Sequence, residues 1–383
     1  MNIQIPKWPI ADEKEIQSLT KVLASNQWWR NYGEEVKQFE QEFSNYLCCN
    51  GAVSVANGTI AIEIALKALN IGVGDEVIVP DFTFYSTVSA IWAVGAKAVF
   101  VDICQKNYCI DPTLIEEAIN CNTKAIIVVH MAGHTCDMDA INDIAQKNKL
   151  YVIEDSAHAH GAEYKGKKAG TLSTCGTFSF QNAKLMTSGE GGIITTNDKE
   201  LLQKIFLESN CGRAENDTNY QHVLIGTNAR LSEFQGAILR IQLTRLNEQL
   251  NIRKQNYQYF SQLLKTLPGI SLQHIENYVT TNSHYMLMFE YDSKHFNNKT
   301  RQNFIDYLKS YGIPCNRAFE ALHRLPISIS NNHLWRYGNI SKKCPISQYI
   351  ADNVVCINHN VLLAEKSELN KLFEIINNFS HIN

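Results

Sequence analysis

Residues 178–196 read FSFQNAKLMTSGEGGIITT. An aromatic strand leads into a polar turn that carries Lys184. A glycine-rich loop and a second, β-branched strand follow. Most lysines are solvated at the surface. Here the flanks Phe178, Phe180, Leu185 and Met186 are apolar, which predicts a buried but accessible lysine held between a strand end and a turn. A desolvated, charge-flanked lysine has a depressed pKa and attacks carbonyls. The serines and threonines around it suit phosphate oxygens.

Outward from this stretch the chain alternates. Strand-like runs at 52–55, 77–80, 98–102, 125–130 and 151–153 are separated by amphipathic segments that begin near Gly58, Tyr85, Asp111 and Ala140. This pattern predicts an α/β fold with a mainly parallel central sheet and helices on both faces. In such sheets ligands sit at the carboxyl ends of the strands. Thr59, Asp81 to Thr83, His130, Asp155 and Ser179 fall at those ends and outline one cleft, although each alone also reads as a cap or turn former. Two helical segments precede the first strand, with Trp28, Trp29 and Arg30 between them as a packing anchor or a pocket wall. Residues 240–259 read as one long helix, and shorter mixed elements follow. The expected division is a large cofactor-binding domain over 1–245 and a smaller α+β domain over 246–383.

The 383 residues are 45% hydrophobic and 19% charged, with a net charge of −3. That balance does not suggest a nucleic-acid or membrane-surface protein. No apolar run reaches the roughly 18 residues of a membrane helix, and no signal peptide is visible. The 11 cysteines form no C-x-x-C pair. Free thiols in a reducing cytoplasm are expected, and no metal site is.

Three motifs carry chemistry. Asn57-Gly58-Thr59 places a glycine and a hydroxyl at a helix start, where free N–H donors and the helix dipole favour a phosphate. In Glu154-Asp155-Ser156-Ala157-His158 a carboxylate directly follows a buried strand, and without a partner its pKa rises. A protonated ring nitrogen is one good partner; an N-cap is the plain reading. Asp155 and His158 as metal ligands lack a clear third. Lys184 is the third motif. Phosphate anchor, strand-end carboxylate and lysine together match the needs of pyridoxal 5'-phosphate, and Phe84 suits a residue stacked on its ring.

On the motifs PDFTFYST, VFVDI, EDSAHAHG, SFQNAKLMTSGEGG and GTNARLSEFQGAI, the chain resembles the DegT/DnrJ/EryC1/StrS family of aminotransferases acting on sugars and cyclitols. The resemblance runs nearly end to end. It implies a type I aminotransferase fold and a homodimer with shared active sites. By position Lys184 would be the Schiff-base lysine and Asp155 the partner of the pyridine nitrogen. Gly58, Thr59 and Ser179 would hold phosphate, Phe84 would stack, and His158 would contact the ring. Asn228 would reach the neighbouring subunit's phosphate. Gln181-Asn182-Ala183 before the lysine, with residues 321–324 and 357–363, looks like the branch of glutamine-dependent inosose aminotransferases and 3-amino-5-hydroxybenzoate synthases. Glutamine or glutamate would then be the amino donor. His323 and His359 become candidate substrate contacts, or core histidines. A 3- or 4-keto nucleotide sugar is the alternative acceptor. Relatives that dehydrate carry histidine in place of the lysine, and a cofactor-binding regulator without turnover is the remote alternative.

Overall fold

The computed structural model describes residues 3–215, 217–339, 341 and 343–380. The apolar runs form strands buried on both faces. Because strand side chains alternate, Val77, Val79, Ala125 and Ile127 enter one core while Ile78, Ile126 and Val128 enter another on the opposite face. Continuous apolar strands of this kind need cover on both sides.

The central sheet has eight strands. In spatial order they are Gly51–Val55, Gly192–Thr196, Cys175–Ser179, Tyr151–Asp155, Thr123–Val129, Glu76–Pro80, Lys97–Val101 and Trp335–Tyr337. Pairing is parallel from Cys175–Ser179 onward. Gly192–Thr196 runs antiparallel to both of its neighbours. Two of the helices seat the cleft: Gly58–Ala68, capped by Asn57, and Ser86–Ala93. Asp111-Pro112 opens only a short 3-10 turn and one helical turn, not a full crossover helix.

The long helix is Glu233–Leu264, thirty-two residues, longer at both ends than 240–259. Its start carries a capping box, with Ser232 and Gln235 satisfying each other's backbone N–H groups. Beyond it, four short antiparallel strands, Ile270–Leu272, Met286–Tyr291, Val354–Asn358 and Cys315–Arg317, pack against helices Arg301–Ser310 and Lys366–Phe379. A cut at residue 245 falls inside the long helix. Trp335–Tyr337 returns to the edge of the large sheet, where Arg336 Nη2 meets Glu76 Oε2 at 2.6 Å. The second region thus contributes a strand to the first region's sheet. All eleven cysteines are free thiols. Among the described residues no helix is long and apolar enough to cross a membrane, and no group of three metal-ligating side chains converges.

A second tie crosses the same boundary. Asp81 lies just beyond the strand Glu76–Pro80. It accepts the His323 backbone N–H at 3.0 Å, and its Oδ2 lies 2.6 Å from His323 Nδ1. Gln348 donates to His323 Nε2 at 2.9 Å, which leaves the proton on Nδ1 to bond Asp81. His323 is therefore a buried clamp with both ring nitrogens engaged by protein partners. Burial pushes the Asp81 carboxyl up to about 6, with the His323 hydrogen bond opposing. A raised acid holds its proton more tightly when folded. Its contribution to stability is full below the ordinary value of 3.8 and is lost as pH rises through about 6. The urea midpoint of the parent, measured against Asp81→Asn, is expected to fall across that window and level off above it. A difference that stays constant with pH would contradict the burial argument.

Candidate active site

The cleft lies at the carboxyl ends of the parallel strands and encloses about 770 Å³. Of the residues expected there, Gly58, Thr59, Phe84, Asp155, His158, Ser179 and Lys184 all line it.

One end is built for an anion. The first N–H groups of an α-helix have no acceptor within the helix. Asn57 takes the Ile60 N–H at 2.9 Å, and Gly58 and Thr59 open the helix above it. Thr59 Oγ1 donates to Ser86 Oγ at 2.8 Å, so the start of the helix Ser86–Ala93 is joined to the same place. Ser179 closes the cup. A Cβ on Gly58 would lie 2.7 Å from the Ser179 Cβ, so only glycine lets helix and strand end meet this closely.

The middle of the cleft holds an unpaired carboxylate. Asp155 accepts the Thr87 hydroxyl at 2.8 Å and the Ala157 N–H at 3.2 Å. Among the described residues no cation forms an ion pair with it, and burial raises its pKa above the usual carboxylate value, with Thr87 opposing. Behind it, His130 does not reach the cleft. It is fully buried, with Nε2 bonded to Glu154 at 3.0 Å and Nδ1 accepting the Cys136 N–H.

His158 stacks on Tyr285, with ring centroids 4.4 Å apart and planes 22° apart, and on Phe319 at 5.8 Å. Its Nδ1 is buried with no hydrogen-bond partner. Burial, then the nearby Lys184 charge, pushes its pKa well down, so the imidazole is neutral. The Lys184 ammonium lies 4.5 Å from the centre of the Tyr285 ring. The lysine is half-buried rather than buried. Its flanks Phe178, Phe180, Leu185 and Met186 are the buried part and anchor the turn, while the amine opens into the cleft. Phe84 is 55% exposed and meets Phe319 edge-on at 6.2 Å.

Other expected residues lie elsewhere. Asn228 bridges to Asn210 and does not line this chain's own cleft. His359 is buried beneath the lysine turn, bonded to Arg253 and to the Ala183 carbonyl. Trp29 and Arg30 border a separate cavity of about 430 Å³, where Arg30 pairs with Glu40 at 2.7 Å. Trp28 packs on Phe234. Conversely, Ser86, Thr87, Tyr285 and Phe319 were not anticipated. Thr83 and Thr87 face each other at 3.1 Å, a four-residue spacing that could have flagged Thr87. Tyr285 and Phe319 have no local signal.

The residues present fit pyridoxal phosphate. Helix starts meet a hydroxyl cup for its phosphate, an unpaired buried carboxylate suits its protonated ring nitrogen, and the His158 ring and the Lys184 amine line the same space.

Comparison with known proteins agrees. The model of the DegT/DnrJ/EryC1/StrS aminotransferase family matches residues 9–376. The chain belongs to this family. It is an aminotransferase of a pyridoxal-phosphate-dependent family, and it has the type I aminotransferase fold. This aminotransferase is 39% identical over 382 residues to the 3-amino-5-hydroxybenzoate synthase of Amycolatopsis mediterranei, covering 97% of this chain and 96% of that one. A crystal structure of 3-amino-5-hydroxybenzoic acid synthase matches with a TM-score of 0.93 at 38% identity over 99% of each chain. The L-glutamine:2-deoxy-scyllo-inosose aminotransferase of Streptoalloteichus tenebrarius is 32% identical over 96% of this chain and 92% of its own. The dTDP-3-amino-3,6-dideoxy-alpha-D-galactopyranose transaminase of Aneurinibacillus thermoaerophilus is 36% identical over 96% of each.

Gly58→Ala tests the cup. Overpacking at a site this tight is expected to destabilise by about 1–3 kcal/mol in urea unfolding. It should also weaken retention of pyridoxal phosphate, read by titrating the cofactor absorbance. Parental values for both would show that the helix start and Ser179 need not touch.

Proposed function

We propose that this aminotransferase moves an amino group from L-glutamine, or L-glutamate, to the keto group of an uncharged cyclitol or related polyol ketone. The carrying observation is charge. Among the described residues lining the cleft, Lys184 is the one cationic side chain, and Glu190 adds a carboxylate beside Asp155. Recognition of a pyrophosphate calls for arginine or lysine donors, and the described residues that this chain itself contributes to the cleft offer none beyond the Lys184 amine. The L-glutamine:2-deoxy-scyllo-inosose aminotransferase relative supports the same reading.

The roles follow from placement. Gly58, Thr59, Ser86 and Ser179 would bind the cofactor's phosphate. Asp155 would keep a proton on the pyridine nitrogen, and Phe84 and His158 would hold the ring. When bound, pyridoxal phosphate supplies an electron sink for the carbanion at the donor's Cα and carries the amino group between half-reactions. Lys184 would be the covalent attachment point. Once released by the donor amine, it would take the proton from the donor's Cα and, in the second half-reaction, deliver one to the acceptor's carbon. The half-buried amine over Tyr285 has the room that both duties need. Two products leaving in turn predict ping-pong kinetics.

We further propose a homodimer in which Asn228 faces the partner's phosphate cup. Its placement away from its own cleft supports this, as do the exposed Tyr220, Val223 and Ile225 on the preceding loop.

Lys184→Ala is expected to lower turnover by at least roughly 10²–10⁴-fold while folding is kept. Turnover at the parental rate would remove Lys184 from the mechanism. Product analysis with glutamine against scyllo-inosose, 2-deoxy-scyllo-inosose and 3- or 4-keto nucleotide sugars tests the acceptor. Preference for a nucleotide-linked ketone would overturn the charge argument.

A further inference from the structure

The peptide leading into Lys184 is gripped from outside the large sheet. The Trp8 indole N–H donates to the carbonyl of Asn182 at 3.0 Å. His359 Nε2 lies 3.1 Å from the carbonyl of Ala183. These are the two carbonyls immediately before the lysine, and they receive side chains from opposite ends of the chain.

The direction of the second bond is fixed by chemistry. Arg253 Nη2 lies 3.1 Å from His359 Nδ1. A guanidinium only donates, so Nδ1 accepts and the ring proton sits on Nε2, where it donates to Ala183. Burial, then the Arg253 charge, pushes the His359 pKa well down, in keeping with a neutral ring. Arg253 is fully buried, and its Nε and Nη1 have no hydrogen-bond partner. Such a group is costly to keep. Its visible supports are the His359 bond and the Trp8 ring, 5.3 Å from the guanidinium carbon. Trp8 meets His359 edge-on at 4.6 Å, which closes the triangle. Asn360 holds the N-terminal segment through the Pro6 carbonyl at 2.8 Å. His359 also stacks near Tyr285, at 5.9 Å, and Tyr285 carries the Lys184 ammonium on its other contact.

We infer that Trp8, His359 and Arg253 are positioning residues for Lys184, gripping two consecutive carbonyls so that the turn aims the amine over Tyr285 into the cleft. The inference rests on the reading of Lys184 as the reacting amine. A half-buried lysine in a turn needs such restraint, because misplacement of a reacting group by about 1 Å costs on the order of 100-fold in rate.

The test uses the full-length holoenzyme with His359→Leu, His359→Gln and Trp8→Phe. Glutamine presents an acceptor and a donor in the arrangement of the neutral imidazole, so it can receive Arg253 and still bond Ala183; leucine can do neither. Phenylalanine keeps the ring face and loses the N–H. His359→Leu is expected to lower kcat by roughly 100-fold with KM little changed, to speed amide exchange across residues 182–186, and to shift the midpoint pH of the cofactor absorbance band. His359→Gln should restore most of each. Trp8→Phe should move the same readouts in the same direction by less. Parental kcat in His359→Leu, no rescue by His359→Gln at matched thermal stability, or faster exchange without a change in kcat would each overturn the inference. Should His359→Leu fail to fold, parental kcat and exchange in Trp8→Phe would overturn it. Failure of the underlying reading shows separately, as turnover in Lys184→Ala.

Discussion

Asp155 stands at the end of a strand buried on both faces, with two neutral donors and no ion pair among the described residues. A buried carboxylate in that state is unfavourable. Thr87, the Ala157 N–H and the Lys184 charge relieve it only in part, and the surrounding elements arrange a space in front of it. The helix starts at Gly58 and Ser86, the Ser179 strand end and the Lys184 turn all face that space. A bound cation in the cleft would turn the cost at Asp155 into an attraction. In this sense the strand end at Asp155 presents a carboxylate to the cleft, where a protonated pyridine ring would meet it, while the helix starts at Gly58 and Ser86 face the anion-binding end.

The fold was legible where the pattern was long and redundant. Five apolar runs separated by amphipathic helices specify a parallel sheet, because no other arrangement buries both faces of so many strands. The same logic placed Thr59, Asp155 and Ser179 at strand ends. It failed for short pieces. Trp335–Tyr337 spans three residues and gains its place from distant partners, by pairing with Lys97–Val101 and through the Arg336–Glu76 ion pair. The helix after Asp111-Pro112 broke off early, because Ile119 leaves helical geometry after a single turn. The start of the long helix was readable from Ser232 and Gln235, but a hydrophobic pattern locates a helix interior better than its ends.

Within the site, chemistry that lies close in sequence was readable, and chemistry that meets only in space was not. Asp155 and His158 share one motif, as do Ser179 and Lys184. Tyr285 and Phe319 come from a different part of the chain and are ordinary aromatics in isolation. Their meaning appears only when His158 is found between them. His323 and His359 show the reverse. Both sit in polar-looking segments that resemble a substrate-binding branch, yet both are buried among partners that define a single tautomer, one bound to Asp81 and the other to Arg253. A histidine with both ring nitrogens occupied by protein partners has nothing left to offer a ligand.

That distinction sharpens what His158 and His359 do. His158 lines the cleft and keeps a buried Nδ1 without a partner. His359 spends both nitrogens on the backbone side of the same lysine turn. The two rings flank Tyr285, at 4.4 and 5.9 Å, and the Lys184 ammonium rests on that tyrosine's face. The Lys184 amine is thus bounded by an imidazole with an unpaired nitrogen and one fully committed to the scaffold. In the role proposed for Lys184, an amine that would leave its covalent partner and return in every cycle needs mobility in its side chain and none in its backbone. The half-buried side chain on a turn anchored by Phe178, Phe180, Leu185 and Met186 divides those two requirements between different atoms of one residue.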